Sequence, residues 1–95
     1  MKTPVCIKPE YVLYLEWWGG HLWFHTNVFK WSAKIKKQFL KDLATVQSLL
    51  PLPLLAFLEE EKTQVAKFAN TIGFKLKETV VSPEGNKAFI YAWSK

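Results

Sequence analysis

The stretch Pro51-Leu52-Pro53-Leu54-Leu55-Ala56-Phe57-Leu58 decides the architecture. Its two prolines close any helix before them, because proline lacks an amide donor and pushes the preceding residue out of helical geometry. The run Leu54–Leu58 then has strand length and no polar interruption, the pattern of a strand covered on both faces, as in a parallel sheet flanked by helices. Toward the amino end, Ser32 can cap a helix from about Ala33 to Leu49. Ile35, Phe39, Leu43, Val46 and Leu50 recur there every three or four residues and form one buried stripe. Toward the carboxyl end, the spacing predicts a second helix over Lys62 to Thr71, with Val65, Phe68, Ala69 and Ile72 inward and Gly73 as its left-handed stop.

Strands flank this centre. Tyr11–Trp18 and His21–Thr26 are rich in aromatic and β-branched residues, and Gly19-Gly20 between them is a two-residue hairpin signal. Phe74–Val81 and Lys87–Trp93 alternate around Ser82-Pro83-Glu84-Gly85-Asn86, which has the chemistry of a hairpin loop. Residues 1–10, with Pro4 and Pro9, read as an extended lead. The expected fold is therefore α/β (α+β), in the order β-β-α-β-α-β-β. Its five-stranded mixed sheet comprises the amino-terminal hairpin, the Leu54–Leu58 strand and the terminal hairpin, with both helices packed on it.

At 95 residues and 11.1 kDa there is room for a single domain over residues 1–95, and a two-domain enzyme is excluded. Apolar residues make up 49% and charged residues 22%, an ordinary globular balance. Five Trp, three Tyr and seven Phe can supply the buried area that offsets chain entropy without a staple. Cys6 is the only cysteine, so no intramolecular disulfide can form and a reducing compartment is expected. The start Met1-Lys2-Thr3-Pro4-Val5-Cys6 lacks a signal-peptide core, and no segment approaches a membrane span, so a soluble protein is expected.

All 13 basic residues are lysine, and the net charge is +5. Arginine suits bidentate grip on guanine or phosphate, so its absence argues against sequence-specific nucleic-acid reading while leaving diffuse attraction open. Lys30, Lys34, Lys36, Lys37 and Lys41 cluster, either as a solvated helix face or as a docking patch for an anionic partner. Adjacent Trp17 and Trp18 must point to opposite faces of a strand, so one ring is expected away from the core, where it would mark a protein interface. His21 and His25 share a strand face with no carboxylate or cysteine nearby in sequence, and two ligands do not make a metal site. No nucleophile elbow, zincin, Walker or Cys-x-x-Cys pattern occurs, and Cys6 reads as a packed or terminal thiol.

The element order, with a short helix ending in Ile72-Gly73-Phe74 before the last hairpin, resembles the carboxyl-terminal half of the GNAT acyltransferase fold over roughly residues 11–95. Leu22-Trp23-Phe24-His25-Thr26, Trp31 through Phe39, and Lys67 through Phe74 resemble segments of the small GNAT-like internal virion proteins of short-tailed phages. The resemblance implies a trimmed GNAT domain. It also implies where acetyl-CoA would bind: its pyrophosphate on backbone amides at the start of the first helix, where glycines let the chain approach. Laid on Trp31–Lys36, the family's glycine positions fall on Ser32, Lys34 and Lys36, and none is glycine. The family's cofactor-contacting Asn falls on Lys62, and its frequent Tyr general acid falls on Ala69, which has no proton to give. Glu59, Glu60 and Glu61 end the apolar strand where a base could lie, though such acids before a helix also suit a solvated loop.

The sequence thus points to no catalytic residue and no resident cofactor. Its preferred reading is a noncatalytic, GNAT-derived phage protein acting through protein contacts at Trp17, Trp18, Lys34, Lys37 and Lys41, with a phage virion or host protein as partner. Internal virion or assembly roles, in the virion or host cytoplasm, follow from the resemblance alone. One alternative is an acyl-CoA-binding N-acyltransferase whose altered pyrophosphate clamp is Ser32, Lys34, Lys36 and Lys37. Another is a nonspecific nucleic-acid-binding module, whose affinity would fall steeply with salt.

Overall fold

The computed structural model describes residues 1–59 and 63–93. These residues form six strands and two helices, a mixed α+β fold. The elements are β1 (Thr3–Ile7), β2 (Tyr11–Trp18), β3 (His21–Val28), α1 (Ala33–Ser48), β4 (Leu54–Glu59), α2 (Thr63–Thr71), β5 (Phe74–Val81) and β6 (Lys87–Trp93). The chain divides into two compact units, Met1–Leu54 and Leu55–Lys95.

In the first unit β1, β2 and β3 form an antiparallel meander. The sixth strand is the correction to the sequence reading: the extended lead is β1, paired to β2 through Thr3↔Leu15, Pro4↔Tyr14, Cys6↔Leu13 and Ile7↔Val12. Proline is compatible with a strand edge or bulge, and the register shifts between Pro4 and Cys6. The prolines hid a strand that Val5, Cys6 and Ile7 could have revealed. Gly19 and Gly20 take φ of 61° and 78°, the two left-handed residues that the tight β2–β3 turn requires.

Register fixes the faces of this sheet. Tyr11, Leu13, Leu15 and Trp17 share one face with Leu22, Phe24, Thr26 and Val28; Val12, Tyr14, Glu16 and Trp18 share the other with His21, Trp23, His25 and Asn27. α1 packs on the first. Phe39 sits with its ring centroid 4.9 Å from Tyr11 and 6.3 Å from Phe24, and both Phe39 and Leu43 are fully buried. Ile35 and Val46, expected inward with them, are half-buried at the margins of the stripe, as is Leu50 beyond the helix end. Gln47 closes the turn into β4: its amide nitrogen donates to the Leu52 carbonyl at 2.9 Å, and its amide oxygen accepts from the Leu54 N–H at 2.9 Å.

In the second unit β6 lies between β4 and β5, antiparallel to both. Leu54, Leu55, Ala56 and Leu58 are buried, as the apolar run implied, but Phe57 is 44% exposed, so the cover on its side of β4 is incomplete. Val65 is likewise 44% exposed, against the expectation that it faces inward. It is one turn before buried Ala69, so burial fades along the axis of this nine-residue helix and not around it. Gly73 ends α2 with φ 102°, and the Trp93 indole N–H donates to the Ile72 carbonyl at 2.8 Å, tying β6 to that end. Ser82, buried, closes the last hairpin by accepting from the Asn86 N–H at 3.1 Å.

Candidate functional site

Ser32 caps α1 as its sequence position required. Its backbone is extended (φ −160°, ψ 172°), and its hydroxyl accepts from the Ile35 N–H at 3.2 Å. The first intrahelical bond, Lys36 N–H to Ser32 carbonyl, measures 2.8 Å. No acidic residue occupies the first turn. Lys34, Lys37 and Lys41 lie within about 60° of one another around the helix axis, all exposed. Lys36 lies about 160° from Lys34 and is half-buried. The helix therefore brings three of its clustered lysines onto one stripe and turns the fourth away from it.

The end of the β2–β3 hairpin carries the tryptophans. Trp17 is 61% and Trp18 69% exposed, so both rings reach solvent, where the sequence reading placed only one. The reason is position. Trp17 is on the same face as buried Tyr11 and Leu13 but at the turn end, opposite only Leu22, while Trp18 stands on the outer face opposite His21. The Trp23 indole N–H donates to the Trp18 carbonyl at 3.0 Å, which fixes that corner.

His21 and His25 share the outer face as expected, but His25 has a carboxylate partner that sequence distance concealed. Glu16 lies diagonally across the hairpin, with its Oε1 2.9 Å from His25 Nε2, and the Met1 ammonium sits 3.4 Å from its Oε2. The hydrogen bond to His25 and then that to the amino terminus hold the Glu16 carboxyl below its ordinary range. Among the described residues no group of three or more His, Cys, Asp or Glu could hold a metal ion.

A second polar cluster escaped sequence reading. Asp42 accepts from the Tyr11 hydroxyl and, at 3.6 Å, from the Cys6 thiol, linking α1 to β2 and β1. Burial, then the hydrogen bond and charge of Asp42, push the Tyr11 phenol far above its ordinary value. Burial, followed by the Asp42 charge, also raises the Cys6 thiol, which disfavours its thiolate form. The only advance signal was Asp42 itself, a charge one residue before buried Leu43.

Ala69, where the sequence resemblance implies a general acid, is buried, and Glu59 is exposed at the end of β4. Glu60, Glu61 and Lys62 lie outside the described residues. No helix of the described residues is long and apolar enough to cross a membrane.

No protein-family model and no curated protein sequence matches the chain. Its structure is similar to that of a Bordetella pertussis protein assigned to the GnaT acetyltransferase family, with a TM-score of 0.66 at 10% identity. The match covers 90% of this chain and 57% of that one, so the chain spans little more than half the length of its structural neighbour. At that identity the likeness shows the fold alone: the chain has a GNAT-like fold.

Proposed function

We propose that the protein is a noncatalytic member of the GNAT-like fold that works through protein contacts, as an internal virion or assembly protein of a phage, in the virion or the host cytoplasm. One observation carries the noncatalytic part. At the start of α1 the backbone amide of Ile35 is already taken by the Ser32 hydroxyl, and Lys34 and Lys36 stand at the family's other two glycine positions. An acyl-CoA pyrophosphate needs free amides and close backbone approach there, so these residues do not fit the cofactor. Ala69 adds to this, because its methyl group cannot protonate a leaving thiolate, a role worth about 10²–10⁴ in rate. The phage assignment rests on the sequence resemblance at Leu22–Thr26, Trp31–Phe39 and Lys67–Phe74.

The contact surface in this reading is the hairpin end, where Trp17 and Trp18 expose large rigid rings of the kind that anchor interfaces. Lys34, Lys37 and Lys41 would steer an anionic partner toward it. The test is a thiol-release assay with acetyl-CoA and a panel of amine acceptors. No release above the uncatalysed rate is expected; turnover that vanishes on Lys34→Glu/Lys36→Glu substitution would instead establish the N-acyltransferase with an altered clamp.

A further inference from the structure

Residues 29–41, Phe29-Lys30-Trp31-Ser32-Ala33-Lys34-Ile35-Lys36-Lys37-Gln38-Phe39-Leu40-Lys41, contain no acid and five lysines. Structurally this segment is a basic stripe with an aromatic head. Lys34, Lys37 and Lys41 line the exposed side of α1 over about 10 Å of helix rise, and Lys30 precedes them, exposed as well. Among the described residues no carboxylate lies within salt-bridge distance of these four lysines. At the head, Phe29 is 63% and Trp31 40% exposed. The head is anchored, since the N–H groups of Phe29 and Lys30 both donate to the Glu10 carbonyl, at 2.7 and 3.2 Å, and Trp31 stands edge-on to Phe39 at 5.5 Å.

Exposed rings that directly precede a line of uncompensated cations in the chain supply the two components of a single-stranded nucleic-acid platform: bases stack on the rings, phosphates follow the charges. An acidic protein surface would pair with the lysines; a single strand uses the lysines and the rings together. We propose that this segment binds single-stranded nucleic acid without sequence preference, bases stacking on Phe29 and Trp31 and phosphates pairing with Lys30, Lys34, Lys37 and Lys41. The absence of arginine fits the lack of base-edge reading. This activity goes beyond the protein contacts at the hairpin end and uses different rings.

The test is a fluorescence-anisotropy titration of the full chain with fluorescein-labelled oligothymidylate of 15 nucleotides, with a polyglutamate peptide as competitor. Binding is expected to weaken roughly fiftyfold between 50 and 200 mM salt, as four phosphate contacts to a single strand dictate. Phe29→Ala should weaken it about fivefold or more. Lys34→Glu/Lys37→Glu/Lys41→Glu should abolish most of the salt dependence, and Trp17→Ala/Trp18→Ala should leave binding unchanged, each variant first shown folded by circular dichroism. The proposal is overturned by absence of binding at 50 mM salt, by polyglutamate competing as well as unlabelled oligothymidylate, by wild-type binding in Phe29→Ala, or by loss of binding in the Trp17/Trp18 variant.

Discussion

At the start of α1 and in the core of the first unit, single side-chain hydrogen bonds hold elements in place. The Ser32 hydroxyl accepts from the Ile35 N–H and so starts α1; in the proposed noncatalytic reading it also takes an amide that a pyrophosphate would need. Ser32→Ala is therefore expected to cost about 0.5–2 kcal/mol in urea unfolding, the usual worth of an amino-terminal cap. Tyr11, Asp42 and Cys6 form the polar point of the first unit's core. Tyr11→Phe should cost about 1.5–3 kcal/mol, because a charged acceptor loses a buried donor. The pH dependence follows from the same cluster. Tyr11 and Cys6 both ionise at higher pH when folded than when unfolded, so their neutral forms contribute stability that is complete below about pH 8. That contribution is lost as pH climbs past the ordinary thiol and phenol values. A denaturation series from pH 7 to 11 should show stability declining above about pH 8.5 and falling further above about pH 10, with the second decline absent in Tyr11→Phe. Glu16 works in the opposite sense: its lowered value stabilises above the ordinary carboxylate range, and that contribution disappears on acidification.

Elements were legible in the sequence where periodicity and punctuation agreed. Ser32 and Pro51 bracketed α1, Gly19-Gly20 gave the first hairpin, Gly73 stopped α2, and β5 and β6 fell where alternation put them. What stayed hidden depended on contacts between residues far apart in the chain. β1 was obscured by Pro4, which disfavours strands in general but is tolerated at an edge. The Glu16–His25 pair arises from hairpin register, and the Asp42 cluster from the docking of α1 on β1 and β2. The site residues were legible as side-chain types but not as a surface. Only the helix shows that Lys36 parts from Lys34, Lys37 and Lys41, and only the hairpin end exposes both Trp17 and Trp18. Burial ranks the consequences. Leu43→Ala, within the fully buried stripe of α1, should cost about 2–5 kcal/mol, whereas Trp18→Ala should stay within about 0.5 kcal/mol of wild type in the same unfolding assay.

At the scale of the whole molecule, the chain has a GNAT-like fold, and the proposed reading is that its residues no longer serve a thioester. The chain covers 57% of its structural neighbour, carries a net charge of +5, and exposes aromatic rings at the hairpin end and at the head of the lysine stripe as well as at Phe57. Fold and activity are separable, because a fold only supplies positions and the side chains at those positions supply chemistry. The central claim is that the α1 notch no longer receives coenzyme A. Isothermal titration calorimetry of the 95-residue chain with acetyl-CoA measures this directly. No heat of binding is expected up to millimolar ligand; a saturable isotherm in the micromolar range, lost in the Lys34→Glu/Lys36→Glu variant, would show that the cofactor still binds there.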